Sequence, residues 1–151
     1  MTAPRKGPLP PTYLLYGLLA IGALHFLLSG PRIVHGVWRL AGVPVAAFGA
    51  WLSVYADALF KRLGTEIKPF KPSSSLVTEG PYRFSRHPMY VGFTALLLGL
   101  AVVAGTALPL LSVVIAFLLF NARFAIPEER HMQEQFGDEY RDYKSRVRRW
   151  L

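Results

Sequence analysis

From Pro88 to Phe120 the chain carries no acidic or basic side chain, and no other feature limits its folding choices so sharply. At about 1.5 Å per helical residue the run exceeds one perpendicular crossing of a roughly 30 Å hydrocarbon core. Gly105 and Pro109 fall near its middle and fit a tight turn. The run therefore predicts two shortish helices, about 88–105 and 108–125, joined as a hairpin whose tip carries no lysine or arginine.

The rest of the chain agrees with a bilayer setting. Hydrophobic residues make up 52% of the 151 positions and charged residues only 17%, against roughly 25% in soluble domains. A second apolar run, Tyr13 to Leu28, follows Arg5 and Lys6 in the manner of a signal peptide. It continues into Ser29-Gly30-Pro31-Arg32 without a small-x-small cleavage site, so a membrane helix is expected instead. A third run, about Val37 to Phe60, has Arg39 near one end and Asp57 near the other, where each charge reaches an interface or the bundle interior. Gly42, Ala46, Ala47, Gly49 and Ala50 offer it small faces for helix contact, although ordinary membrane-helix composition accounts for them equally well. One domain over 1–151 is the expectation at this length.

Charge placement sets the topology. Lys61, Arg62, Lys68, Lys71, Arg83 and Arg86 fall between the third run and the hairpin, and seven more basic residues follow from Arg123 onward. The positive-inside rule puts the N-terminus, the 61–87 loop and the C-terminus in the cytoplasm, most simply of the cell (inner) membrane, which requires four crossings. After Pro127 the acidic Glu128 and Glu129 precede late basic residues, as the helix dipole favours in a cytoplasmic amphipathic helix. The fold class expected is an all-α membrane protein of about four transmembrane helices plus that C-terminal helix. The net charge of +8 then belongs to membrane-facing loops, and no nucleic-acid partner is expected. Cysteine is absent, and His25, His35, His87 and His131 show no ligand spacing, so no thiolate chemistry and no metal site is expected.

Polar chemistry gathers at the start of the uncharged run, in Gly80-Pro81-Tyr82-Arg83-Phe84-Ser85-Arg86-His87-Pro88-Met89-Tyr90-Val91-Gly92. Pro88 suits a first helical position, which makes His87 the cap and leaves free N–H groups as an anion site. Tyr90, three residues on, shares its face. Each residue has a plain explanation: arginines end cytoplasmic loops, tyrosines form aromatic belts and glutamates start helices. The order and spacing together favour a pocket.

That stretch resembles the Arg-His-Pro-x-Tyr signature of the isoprenylcysteine carboxyl methyltransferase family, integral membrane enzymes related to phospholipid methyltransferases. A second block, Glu128-Glu129 followed by Phe136-Gly137-Asp138-Glu139-Tyr140, extends the likeness over about 74–140. The resemblance implies S-adenosylmethionine as cofactor, held by Ser74, Ser75, Leu76, Val77, Tyr82, His87, Pro88, Met89, Tyr90, Glu128 and Glu129. It implies a methyl acceptor, lipophilic or small, drawn from the bilayer, with Arg86, His87 and Arg123 as the catalytic candidates. The cationic cofactor is expected between Glu128 and the His87 helix end, facing a lipid-accessible cleft between the last two membrane helices.

One departure bears on the acceptor. Prenylcysteine enzymes of this family carry a carboxylate-binding arginine four positions ahead of the first glutamate, and that position is Phe124 here. Arg86 and Arg123 are the substitutes within reach. A phospholipid N-methyltransferase, using Gly92 with Glu128-Glu129, is the alternative enzyme, and a nicotinamide-dependent membrane reductase a more distant one. A non-enzymatic scaffold whose basic tail binds lipid head groups is the remaining alternative.

Overall fold

The computed structural model describes residues 8–28, 30–63 and 75–151. Ser74, Ser29, Lys68, Lys71 and the Arg5-Lys6 pair, all used in the sequence argument, lie outside the described residues. Among the described residues the chain is helical, without a β-strand; one isolated bridge pairs Arg32 with Thr106.

Five helices follow one another: α1 Pro10–Phe26, α2 Gly42–Arg62, α3 Pro88–Ala104, α4 Ala107–Phe120 and α5 Ile126–Arg146. Proline opens α1 and α3, as the absent N–H there costs nothing. Gly105, left-handed at φ 76, ends α3, and the chain turns at once into α4, so the hairpin expected around 105–109 forms. Ile33 and Val34 donate to the Gly105 carbonyl, Ala107 donates to the Pro31 carbonyl, and Arg39 Nε caps Val103 at 2.7 Å. These bonds gather the end of α1, the start of α2 and the α3–α4 turn at one end of the bundle. The starts of α1 and α3 and the ends of α2 and α4 consequently share the other.

α2 and α3 pack closely because small residues meet along both. Gly42, Ala46, Gly49, Ser53 and Ala56 are buried at alternating steps of four and three, the 3.5-residue period of a left-handed helix pair. Across from them lie Gly92 and Gly99. A Cβ added at Gly49 would stand 2.6 Å from the Gly92 carbonyl oxygen, and one at Gly92 2.7 Å from the Gly49 oxygen. The small face is therefore a contact surface at Gly42, Ala46 and Gly49, while Ala47 is exposed and Ala50 half-buried. Ile21, Phe93, Leu97, Val113 and Phe120 fill the space between α1, α3 and α4.

The expected break at Pro127 is absent. Ala107–Arg146 forms one helical run of 40 residues, because Asn121–Ala125 widens to a π-helix in which Ile126 donates to Asn121, five residues back. A proline ring clashes with the carbonyl four residues before it in a regular helix, and the wider turn just ahead of Pro127 relieves that clash. Gly137, at φ 53 and ψ −116, kinks α5 instead. Two helical stretches, Gly36–Arg62 and Ala107–Arg146, are long and apolar enough to cross a membrane, and Pro88–Ala104 is a shorter apolar helix.

Replacing Gly49 or Gly99 by leucine is expected to lower the thermal midpoint in detergent, as overpacking of about 1–3 kcal/mol or more requires. Gly22→Ala, where an added Cβ meets nothing within 4 Å, is expected to leave it unchanged or raise it. An unaltered midpoint in both leucine variants would show that α2 and α3 do not meet in this register.

Candidate active site at the start of helix α3

The polar end of the bundle is organised by how α3 begins. Tyr90 and Val91 both donate to the His87 carbonyl, and the His87 amide is itself held by Ser85 Oγ at 3.2 Å. The imidazole is thereby fixed at the helix mouth, facing the first turn of α5. Tyr90 stacks between it and Phe120, with centroids 5.7 Å and 5.6 Å away.

Glu129 is the hub. Its side chain is only 6% exposed, and its Oε1 receives Arg86 Nη2 at 2.9 Å, Arg149 Nε at 2.8 Å and the His87 ring at 3.3 Å. Arg149 Nη2 reaches Oε2 at 2.9 Å. A carboxylate taken out of water needs such partners, and charge-assisted bonds are the strong kind. Arg149 arrives because the chain reverses after α5: Val147 turns extended, Arg86 N–H donates to the Arg148 carbonyl, Arg86 Nη1 to that of Val147 at 2.7 Å, and Ser85 Oγ to that of Arg149. The segment 147–151 is thus a strap laid across the start of α3, with the Trp150 ring 5.8 Å from the imidazole and 4.9 Å from Phe117.

Glu128 is different, at 46% side-chain exposure. Its carboxylate accepts the Tyr90 hydroxyl at 2.5 Å and lies 3.5 Å from His87 Nδ1, so one face is held and the other opens to solvent. His87 therefore stands between two carboxylates, one at each ring nitrogen. Burial alone would lower its pKa, but the hydrogen bonds and charges of Glu128 and Glu129 outweigh burial and raise it above the ordinary 6.5. A doubly protonated ring satisfies both neighbours, whereas a neutral one has a single N–H to give. For Glu129 burial would raise the pKa, yet His87, Arg149 and Arg86 together hold it far below the ordinary 4.5.

Of the residues singled out in the sequence, Arg86, His87, Tyr90, Glu128 and Glu129 meet here. Arg86 is spent on Glu129 and the strap, and Glu129 is enclosed by its partners. Val77 and Tyr82 belong to a second cluster with Ala56 and Leu59, against which Met89 also packs; Pro88 is buried at the helix start. The Tyr82 carbonyl accepts the Tyr143 hydroxyl at 2.6 Å, and Leu76 packs on Tyr140 and Tyr143. Ser75 is exposed. Phe124 is buried against Tyr13 and Tyr90, with centroids 5.2 Å and 5.9 Å away, and Arg123 is exposed beside it. The cleft expected between α3 and α4 is filled by Tyr90, Phe93 and Phe120, three rings with centroids about 6 Å apart. Sequence reasoning did not single out Arg149, Trp150 or Tyr143, which carried only the signal of a basic, aromatic tail.

The chain is thus helical, with an apolar hairpin and a His–Tyr–Glu cluster at its polar end. Residues 37–139 match the phospholipid methyltransferase family, and the chain belongs to that family of methyl-transferring enzymes. An uncharacterised protein of Haemophilus influenzae is 41% identical over 63 residues, 42% of this chain and its own whole length. A protein-S-isoprenylcysteine O-methyltransferase of Schizosaccharomyces pombe is 35% identical over 72 residues, 48% of this chain and 30% of its own. Methanethiol S-methyltransferase 1 of Bradyrhizobium diazoefficiens is 41% identical over 73 residues, 44% of this chain and 22% of its own. The chain thus spans less than a third of the length of these two named methyltransferases. No solved structure matches.

Arg86→Ala is expected to cost about 3–5 kcal/mol in unfolding, since it strips a buried carboxylate of a partner and unfastens the strap. The His87 contribution should depend on pH. Its folded-state pKa lies above the unfolded 6.5, so the stabilisation is complete below that value and fades as pH rises through the raised one. The stability difference between wild type and His87→Gln should accordingly be largest in mild acid and shrink toward alkaline pH. A pH-independent difference would rule out an imidazolium at this position.

Proposed function

We propose that this chain transfers a methyl group from S-adenosylmethionine to a lipophilic acceptor, from within a membrane it crosses four times with both termini cytoplasmic. The observation that carries the reading is Glu128: a carboxylate half open to solvent, oriented by Tyr90 and His87, at a helix mouth where a sulfonium or ammonium can be met. The alternating direction of α1 to α4 supports the four crossings. The basic residues Lys61, Arg62, Arg83 and Arg86 all fall at the same end as Glu128, which supports placing that end in the cytoplasm.

When bound, the cofactor supplies an electrophilic methyl on a cationic sulfur, so what falls to the protein is binding, alignment and proton traffic. Glu128 offers the negative charge, the Tyr90 hydroxyl orients it, and the Met89 amide is a helix-start donor. His87 and a bound cation compete for the same Glu128 carboxylate. His87 therefore gives up a proton when the cation arrives, and the neutral imidazole, still oriented by Glu129, can take a proton from the acceptor. Arg86 and Arg149 position Glu129 and so His87. Because Phe124 occupies the place of the arginine that prenylcysteine enzymes use, an acceptor carboxylate must be met elsewhere, and with Arg86 engaged by Glu129 the remaining candidate is Arg123, exposed beside Phe124.

A phospholipid head-group amine is the second reading, favoured by the family match over 37–139. Its glycine cannot be Gly92 in the same role, since Gly92 faces Gly49 and Ser53 of α2 rather than Glu128.

Calorimetric titration of S-adenosylmethionine is expected to show weakened binding in Glu128→Ala and, in His87→Ala, binding that no longer falls as pH is lowered; an unchanged affinity in Glu128→Ala together with an unchanged pH dependence in His87→Ala refutes the pocket. In wild type the affinity should fall as pH is lowered through the His87 pKa, with a heat that varies with the ionisation enthalpy of the buffer. Incubation of membranes with methyl-labelled cofactor should place label in the lipid extract, where a base-labile ester and a phospholipid head group separate the two acceptors.

A further inference from the structure

Two hollows lie away from His87, Tyr90 and Glu128, and they adjoin each other. The first, about 580 Å³, is a slot whose walls are Phe48, Trp51 and Tyr55 of α2 and Pro88 and Val91 of α3, a volume typical of small-molecule sites. The second, about 670 Å³, is polar and lined by Thr78, Glu79, Arg83, Tyr143 and Arg146. Gly80 and Arg83 line both. Gly80 sits at φ 56 where a Cβ would stand 2.7 Å from Leu59 and 3.3 Å from the Tyr55 hydroxyl, so glycine lets this turn lie directly on α2 where the two hollows adjoin.

The arrangement has a direction. Phe48 and Tyr55 are two turns apart, about 10 Å along α2 at 1.5 Å per residue, and beyond Tyr55 come Arg83 and the basic end of α2. The apolar slot thus runs along a helix long enough to cross the bilayer and opens into a polar hollow holding two arginines and one glutamate. Among the described residues no acid forms an ion pair with Arg83. Phe48, Trp51 and Phe84 are more than half exposed around it.

We propose that these joined hollows bind one anionic glycerophospholipid, with an acyl chain lying in the surface groove that Phe48, Trp51 and Tyr55 of α2 form with Val91 of α3, and its phosphate on Arg83. The neutral phospholipids lack the net charge that the two arginines call for, and a soluble anion has no use for the slot. None of His87, Tyr90 and Glu128 lines either hollow, so this lipid is a resident one and not the methyl acceptor. The proposal rests on the bilayer placement of α2 and is independent of methyl transfer.

Trp51 reports directly on the slot. A variant retaining it alone among tryptophans (Trp38→Phe, Trp150→Phe) is reconstituted in phosphatidylcholine vesicles containing a small fraction of bromine-labelled phosphatidylglycerol or, in parallel, bromine-labelled phosphatidylcholine. Quenching by the anionic lipid should exceed that by the neutral one at equal mole fraction by about fivefold in apparent affinity, corresponding to about 1 kcal/mol per basic residue at a lipid surface. Arg83→Gln should remove the preference, and Val91→Phe should weaken quenching by both lipids. Equal quenching by the two lipids, or a preference that survives Arg83→Gln, overturns the proposal. Should the tryptophan replacements unfold the protein, native mass spectrometry of the wild type and Arg83→Gln from the same vesicles decides it by whether one phosphatidylglycerol stays bound to the former only.

Discussion

A single buried carboxylate holds the polar end of this protein together. Glu129 joins the start of α3 through Arg86 and His87, α5 through its own backbone, and the returning strap through Arg149. None of these segments has a hydrophobic reason to stop where it does: α3 begins at a proline, the strap is extended, and the first turn of α5 is charged. The ion cluster substitutes for a core at the point where apolar packing between α1, α3 and α4 runs out. Removing either arginine leaves the carboxylate under-neutralised, whereas exchanging an exposed charge such as Asp138 changes little.

The same cluster explains why two adjacent glutamates do different things. Consecutive helical residues point about 100° apart, so Glu129 turns into the bundle while Glu128 stays at its rim. Glu128 keeps access to solvent, and Glu129 keeps the imidazole in place. Arg86, Arg149 and, when protonated, His87 face two carboxylates, and of the three only the imidazole has a proton that leaves readily. Structure and acid–base behaviour are coupled through His87.

How far the sequence disclosed this depends on range. The α3–α4 turn was legible because Gly105 is local chemistry, and the shared face of His87 and Tyr90 followed from a helix start and spacing, whereas Glu128, 38 residues beyond Tyr90, was tied to them only by the family resemblance. The unbroken run from Ala107 to Arg146 was not, because a proline ordinarily ends a helix and the π-turn that accommodates Pro127 leaves no mark in composition. The small residues of α2 left their role open: only the partner glycines on α3 separate Gly49, a contact, from Ala47, which is exposed. Nor could the tail arginines be ranked. Arg146, Arg148 and Arg149 are alike in sequence, and which of them meets Glu129 is decided by the reversal at Val147, a tertiary event.

Arg83 and Arg86 make the same point within three residues. Both read as cytoplasmic basic residues, and composition assigns them one role, yet a turn and a helix start direct them oppositely. Arg86 is drawn into Glu129 and the strap, its charge used up inside the protein. Arg83 remains exposed at the junction of an apolar slot and a polar hollow, where its charge is available to something else. In a small membrane protein the energetic weight of a basic residue therefore depends less on its count toward the positive-inside rule than on whether a carboxylate of the same chain reaches it first.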